Sequence, residues 1–314
     1  MKLFEELSMR EVYGEELVRL GNDYPDLVVL DADVSSSTRS ILFEQKFPDR
    51  FFNVGVAEAD MADIAAGMAL CGLKPVINSF AVFLTLKATE QIRNVICYNK
   101  LPVIIAGSYA GFSDSYDGAS HHSIEDIAIM RVMPYLNVIV PADAIELKKA
   151  LKHLMTMSEP AYIRICRNPT PIITDESDKF NFGKIKTIRE GKDITIAACG
   201  IAVSMVIKAA DELKTNGINA EVLNVSTIKP LDENTLIRSV RKTGCVLIVE
   251  EHSIIGGLFG AISEVLLKKY PVKSDCIGIN DIFTETGDYI ELLEKYQISA
   301  HSIVKKAIEL LNIS

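Results

Sequence analysis

The stretch PVINSFAVFLTLKATEQIRNVICYNKLPVIIA, Pro75 to Ala106, decides the fold. It opens on Pro75-Val76-Ile77-Asn78 and closes on Pro102-Val103-Ile104-Ile105-Ala106, two short runs rich in β-branched residues. Neither run alternates apolar with polar residues, which suits strands buried on both faces of a parallel sheet. Between them, Leu84 to Cys97 has the length and composition of a crossover helix. The pattern extends outward: Leu27 to Leu30, Asn137 to Val140 and Ala161 to Ile165 repeat the strand signature, and Asp60 to Leu70 repeats the helical one. The first half of the chain reads as an open, mostly parallel α/β layer.

From Asn168 to Asp193 the sustained apolar period is lost among Pro169, Pro171, Asp175, Glu176, Ser177 and Asp178, which marks a linker. Beyond it the alternation resumes, with strands at Ile194 to Ala198, Ala220 to Val225 and Cys245 to Val249, and helices at Val203 to Thr215, Glu233 to Lys242 and Leu258 to Lys269. A length of 314 residues accommodates two such domains. The expected partition is 1–168, a linker at 169–192, and a smaller α/β domain at 193–314.

Composition excludes several classes of function. The chain is 48% hydrophobic and 24% charged, which fits a globular protein with buried strands and not a disordered one. Its net charge is −9, with no concentrated basic stripe, so nucleic acid is not an expected partner. The six cysteines are too far apart for a C-x-x-C half-site and read as small buried hydrophobes in a reducing compartment. Met1 to Arg10 includes Glu5 and Glu6 and does not resemble a signal peptide; no apolar run is long enough to cross a membrane. A soluble, cytoplasmic protein with no membrane partner is expected.

A few places could carry chemistry. Gly256-Gly257-Leu258-Phe259-Gly260 follows a strand and opens a helix, but it lacks both the G-x-G-x-x-G spacing and a P-loop lysine, so a close-packing turn fits better than a phosphate cradle. Glu58 follows Asn53-Val54-Gly55-Val56-Ala57 at the start of a helix; it is either an exposed first-turn acid or a carboxyl turned into a site. Asp117-Gly118-Ala119-Ser120-His121-His122 falls in a polar loop beyond the strand at Pro102 to Ala106, where open α/β sheets bind ligands, and is equally readable as a solvated turn. Phe80 and Phe83 have the spacing of core aromatics. Arg164 and Arg167, near a strand end, are expected to be solvated unless paired, yet could grip a phosphate.

Taken together, these segments resemble the second half of the transketolase family, its pyrimidine-binding domain followed by its C-terminal domain, over nearly the whole chain. The residues that carry the resemblance are Arg50 to Glu58, Ser79 to Phe83, Glu90 to Asn94, Asp117 to His121, Ile124-Glu125-Asp126, Val140 to Asp143 and Ile163 to Arg167. The resemblance implies a thiamine diphosphate enzyme whose active site lies between two chains and which transfers a ketol unit between sugar phosphates. Glu58 and His121 are then the expected catalytic residues. Glu58 would face the cofactor's pyrimidine nitrogen, where burial helps a carboxyl hold a proton. Asp33, Phe80, Phe83 and Leu86 would complete the cofactor pocket. Arg10, Ser37, Tyr109, Asp117, His121 and Arg167 would meet the substrate, the two arginines and Ser37 at its phosphate.

The chain also departs from the family. Tyr109 stands eight residues before the loop aspartate, where a histidine is usual, and Leu86 stands where many members place a third pocket aromatic. The family's G-D-G motif, which with a later Asn holds the metal and diphosphate, is lacking; the one Gly-Asp pair is Gly287-Asp288, followed by Tyr289. The resemblance therefore implies a split enzyme. A separate diphosphate-binding N-terminal subunit would hold most of the Mg2+ or Ca2+, this chain would provide no metal ligands, and an α2β2 heterotetramer would result. Other relatives in view are deoxyxylulose phosphate synthase, the beta subunit of the 2-oxo acid dehydrogenases, and a noncatalytic scaffold.

Overall fold

The computed structural model describes residues 5–312. The apolar runs become strands of two sheets. The first has seven strands in the order Thr227–Lys229, Asn137–Ile139, Ala161–Ile165, Ile104–Ser108, Lys74–Phe80, Leu27–Asp31 and Phe51–Asn53. All neighbours in it run parallel except Thr227–Lys229, which comes from the second half of the chain and pairs antiparallel with Asn137–Ile139. The second sheet has five strands in the order Lys273–Ile279, Cys245–Ser253, Ile194–Ala198, Ala220–Asn224 and Lys186–Arg189, of which only the last is antiparallel to its neighbour. This is the mostly parallel α/β architecture that the sequence predicts.

Why the strands lack alternation is visible in the packing. Leu27 and Val29 point into one apolar core, Val28 and Leu30 into another. Each core continues across one face of both sheets: Val29 and Ile163 share theirs with Ile196 and Leu247, while Leu30 and Ile105 share theirs with Ala197 and Ile248. A strand that buries both faces needs apolar residues at consecutive positions.

Several expectations need correction. The helix expected over Leu84 to Cys97 is three pieces, Ala81–Lys87, Thr89–Gln91 and a π-turn at Ile92–Cys97. Ala88 leaves helical geometry at ψ 10°, and the hydroxyls of Thr85 and Thr89 donate back to the carbonyls of Ala81 and Thr85, competing with the regular ladder. The linker also carries strands: Pro169–Pro171 pairs antiparallel with Glu6–Ser8, and Lys186–Arg189 edges the second sheet. All six cysteines are free, but Cys71 is exposed and Cys276 half-buried, so the buried-hydrophobe reading holds for the other four.

The glycine turn at 256–257 is structural. Glu250 turns its carboxylate onto the first turn of the helix Leu258–Lys269, accepting from the backbone N–H of Leu258 at 2.7 Å and of Phe259 at 2.9 Å. A Cβ on Gly257 would meet that carboxylate at 2.1 Å, so the chain fills this helix end with its own anion. Among the described residues no helix is long and apolar enough to cross a membrane.

Candidate active site

The carboxyl ends of the first sheet's parallel strands converge on one edge, where open α/β sheets place their ligands. Asp31 ends its strand buried and accepts from Val34 N at 2.6 Å, Ser40 Oγ at 2.8 Å and Thr38 Oγ1 at 3.0 Å. Burial pushes its carboxyl up to about 6. These bonds fix the turn in which Asp33 takes a left-handed backbone at φ 66°, exposed and receiving Asn53 Nδ2 at 2.9 Å. On the neighbouring turn Gly55, at φ 75°, reverses the chain so that the helix Glu58–Leu70 begins with Glu58 pointing inward.

Glu58 is therefore not an exposed first-turn acid: it is 1% exposed. Ser79 Oγ donates to its Oε1 at 3.2 Å, and Lys87 Nζ pairs with its Oε2. Beside it, Phe80 closes the strand Lys74–Phe80, and Phe83 follows in the helix Ala81–Lys87, their ring centroids 5.8 Å apart. Tyr109 stacks on Phe80 at 4.3 Å and 16°, while His121 meets Phe83 edge-on at 5.2 Å. The two phenylalanines thus stand in a small aromatic cluster with Val82, Tyr109, Val34 and His121, separate from both main cores.

Two cations join this cluster from different elements. Arg10, on the first turn of the helix Met9–Asp23, donates to the Tyr109 hydroxyl at 2.7 Å and to the Ser37 carbonyl at 3.4 Å. Arg167 lies over the Tyr109 ring at 5.2 Å and reaches Asp114 Oδ1 at 3.3 Å. Asp114 is buried, its Oδ2 has no hydrogen-bond partner among the described residues, and burial together with the neighbouring Asp117 charge pushes its carboxyl up to about 6. A cavity of about 380 Å³ opens here, lined by Arg10, Arg167, Ser115, Tyr116, Asn168 and Asp288 among others.

The loop carrying Asp117 and His121 is held by the second half of the chain. His122 is buried, and burial lowers its pKa; its Nδ1 meets Thr284 Oγ1 at 2.5 Å. Gly287 N donates to Ser115 O at 3.1 Å, and Gly118 lies so close to Thr286 that a Cβ there would be 2.5 Å from its hydroxyl. Glu251 accepts from Phe112 N at 3.3 Å and from the Tyr289 hydroxyl at 3.0 Å. Burial raises its carboxyl to about 7. Arg164 is not solvated but buried within its strand, donating to Asp126 at 2.8 Å and to Glu251 O at 2.9 Å. Burial opposes its charge, but Asp126 and Glu251 hold its pKa above the usual guanidinium value.

The structure brings Phe80, Phe83, Tyr109, His121, Arg10 and Arg167 into one cluster, with Ser37 joined through Arg10. Glu58 lies against the same helix as Phe83. Asp33 and Asp117 are not among the cluster's members and both are exposed, and Leu86 is 53% exposed. Sequence reasoning missed Lys87, Ser79, Asp114 and Thr284. Lys87 left one signal, as the single charged residue of Ala81 to Ala88. Among the described residues no group of three or more His, Cys, Asp or Glu is placed to hold a metal ion.

Comparison with known proteins adds to this geometry. Residues 5–171 match the transketolase pyrimidine binding domain and residues 183–303 the transketolase C-terminal domain. A Methanocaldococcus jannaschii protein carrying the name of a transketolase C-terminal section is 44% identical over 308 residues, covering 96% of each chain. A 6-deoxy-6-sulfo-D-fructose transketolase subunit of a Clostridium species is 39% identical, covering 97% of this chain and 95% of its own. A solved structure described as a split gene transketolase, an inactive beta4 tetramer, superposes with a TM-score of 0.90 at 42% identity, covering 98% of this chain and 99% of that one.

Proposed function

The chain belongs to the transketolase family, and from that premise we propose that it is the C-terminal subunit of a two-chain transketolase. In this reading it moves a two-carbon ketol unit from a ketose phosphate to an aldose acceptor, at a site shared with a diphosphate-binding partner subunit. The observation that carries the reading is the buried Glu58 carboxyl set beside the Phe80 and Phe83 rings at the carboxyl edge of a parallel sheet.

These residues fit one end of thiamine diphosphate. An acid beside an aromatic face suits a flat, basic heterocycle. When bound, the cofactor supplies a thiazolium ring that stabilises negative charge on the transferred carbon. Glu58 holds a proton toward the pyrimidine nitrogen and keeps the ring oriented. Phe80 and Phe83 exclude water from it, and Asp33 adds a contact to the cofactor from the turn after the strand Leu27–Asp31. Arg10 and Arg167 grip the substrate's anionic tail, with Ser37 beside them. Tyr109, whose hydroxyl accepts from Arg10 and whose ring lies beneath Arg167, stands with them at the anionic tail, and Asp117 and His121 meet the sugar hydroxyls.

The partner subunit holds the Mg2+ or Ca2+ and covers this edge in an α2β2 assembly; Val56, two residues before Glu58, and Leu86, next to Lys87, stand 70% and 53% exposed. Such apolar exposure beside a buried acid supports a shared site. The test is Glu58→Gln, which keeps size and hydrogen bonding but cannot move a proton. With the partner and saturating cofactor present, ketol transfer falls at least about 100-fold while assembly is unchanged. Near-normal turnover would reject the reading.

A further inference from the structure

Glu58 is not free in the pocket. Lys87 closes the helix Ala81–Lys87, one turn after Phe83, and its ammonium is ion-paired with Glu58 Oε2 while lying 5.4 Å from the centre of the Phe83 ring. The head of one side chain thus sits between the buried acid and the aromatic face, the two surfaces that a flat heterocycle would use. The two ends of the pair differ in exposure: the Lys87 side chain is 43% exposed and the Glu58 side chain 1%.

We propose that Lys87 is an internal competitor for Glu58: it holds the carboxylate in the free chain and leaves it when the pyrimidine end of the cofactor docks. The inference rests on the function proposed above and adds to it a residue that sets cofactor affinity. The Lys87 ammonium lies against Oε2 on the side of the Phe83 ring, in the space through which a flat heterocycle would approach the carboxyl. Ser79 Oγ already holds Oε1, so a ring nitrogen sharing a proton with Glu58 is directed to the side where the ammonium stands, and the two compete for that space. Apparent affinity is then reduced by the fraction of molecules in which Lys87 occupies the acid. The displaced ammonium has a route out, because its flexible stem already reaches solvent. Ser79 Oγ on Oε1 keeps the carboxyl oriented while Lys87 moves.

The test measures thiamine diphosphate binding by titration calorimetry for the wild-type chain, Lys87→Met and Lys87→Arg, each assembled with the diphosphate-binding partner. Methionine keeps the stem and removes the charge, and binding tightens about five-fold, the order expected for a partly exposed ion pair. Arginine keeps the charge and binds no more tightly than wild type. In the full chain alone, the carbon-13 signal of the Glu58 carboxyl at neutral pH moves on Lys87→Met. Equal or weaker binding by a folded methionine variant, tighter binding by the arginine variant, or an unmoved Glu58 signal would each overturn the proposal; Lys87→Leu replaces methionine if that variant does not fold. A wild-type assembly that binds no cofactor refutes the function reading itself, whereas normal wild-type binding with an unaltered methionine variant refutes the role of Lys87 alone.

Discussion

Arg10 and Arg167 both reach Tyr109, but only Arg167 has a buried acid to answer for. Arg10 spends its guanidinium on a hydroxyl and a carbonyl, so Arg10→Ala leaves no charge stranded. Arg167 neutralises Asp114, whose other oxygen is already unpartnered. The two alanine variants are therefore expected to differ. Each raises KM for phosphorylated sugars about 10-fold or more with a much smaller change in kcat, because a grip on a remote phosphate is mostly uniform binding. Arg167→Ala also lowers the thermal midpoint, while Arg10→Ala does not. Steady-state kinetics beside a melting curve separate them, and an equal loss of efficiency with an uncharged acceptor would deny both residues their phosphate role.

The element that most shapes the site is the loop Gly111 to Ser123, and its anchors lie far away in sequence. Thr284→Val keeps the shape of the side chain but removes the hydroxyl that meets His122, leaving a buried ring nitrogen unsatisfied at a cost of about 1–3 kcal/mol. Loop displacement should reach Asp117 and His121, so kcat/KM falls about 10-fold while cofactor affinity holds; kinetics and cofactor titration on the same preparation check both. Such anchors were illegible in the sequence because no local pattern links position 122 to position 284. The strands were legible because burial on both faces writes itself into consecutive residues, as at Val28, Val29 and Leu30. Phe80 and Phe83 read as core by spacing alone, and only the resemblance moved them to a pocket. The break at Ala88 escaped notice since it arises from threonine hydroxyls bonding backward, a competition that composition does not display.

Across the whole molecule the two sheets share continuous cores and a buried ionic junction, where Arg164 of the first sheet meets Glu251 of the second. Glu251 sits near 7 when folded, against a usual 4.5. Between those values the folded chain binds more protons than the unfolded one, so stability falls as pH rises, by up to about 1.4 kcal/mol per unit for a group titrating fully. Asp31 and Asp114, each near 6, add to the same slope at lower pH. Glu251→Gln retains an acceptor for Phe112 N and the Tyr289 hydroxyl, and the decline of the melting temperature from mildly acidic to neutral buffer flattens; a slope identical to wild type would show that Glu251 is not its source. The edge strand Thr227–Lys229, laid against Asn137–Ile139, has a different consequence. A protease that severs the stretch between the two sheets would break the polypeptide without separating its pieces, since the downstream piece still lends the upstream one a strand. Either piece made by itself would begin life with that seam unstitched, the upstream one presenting a bare β-edge on which stray chains could grow.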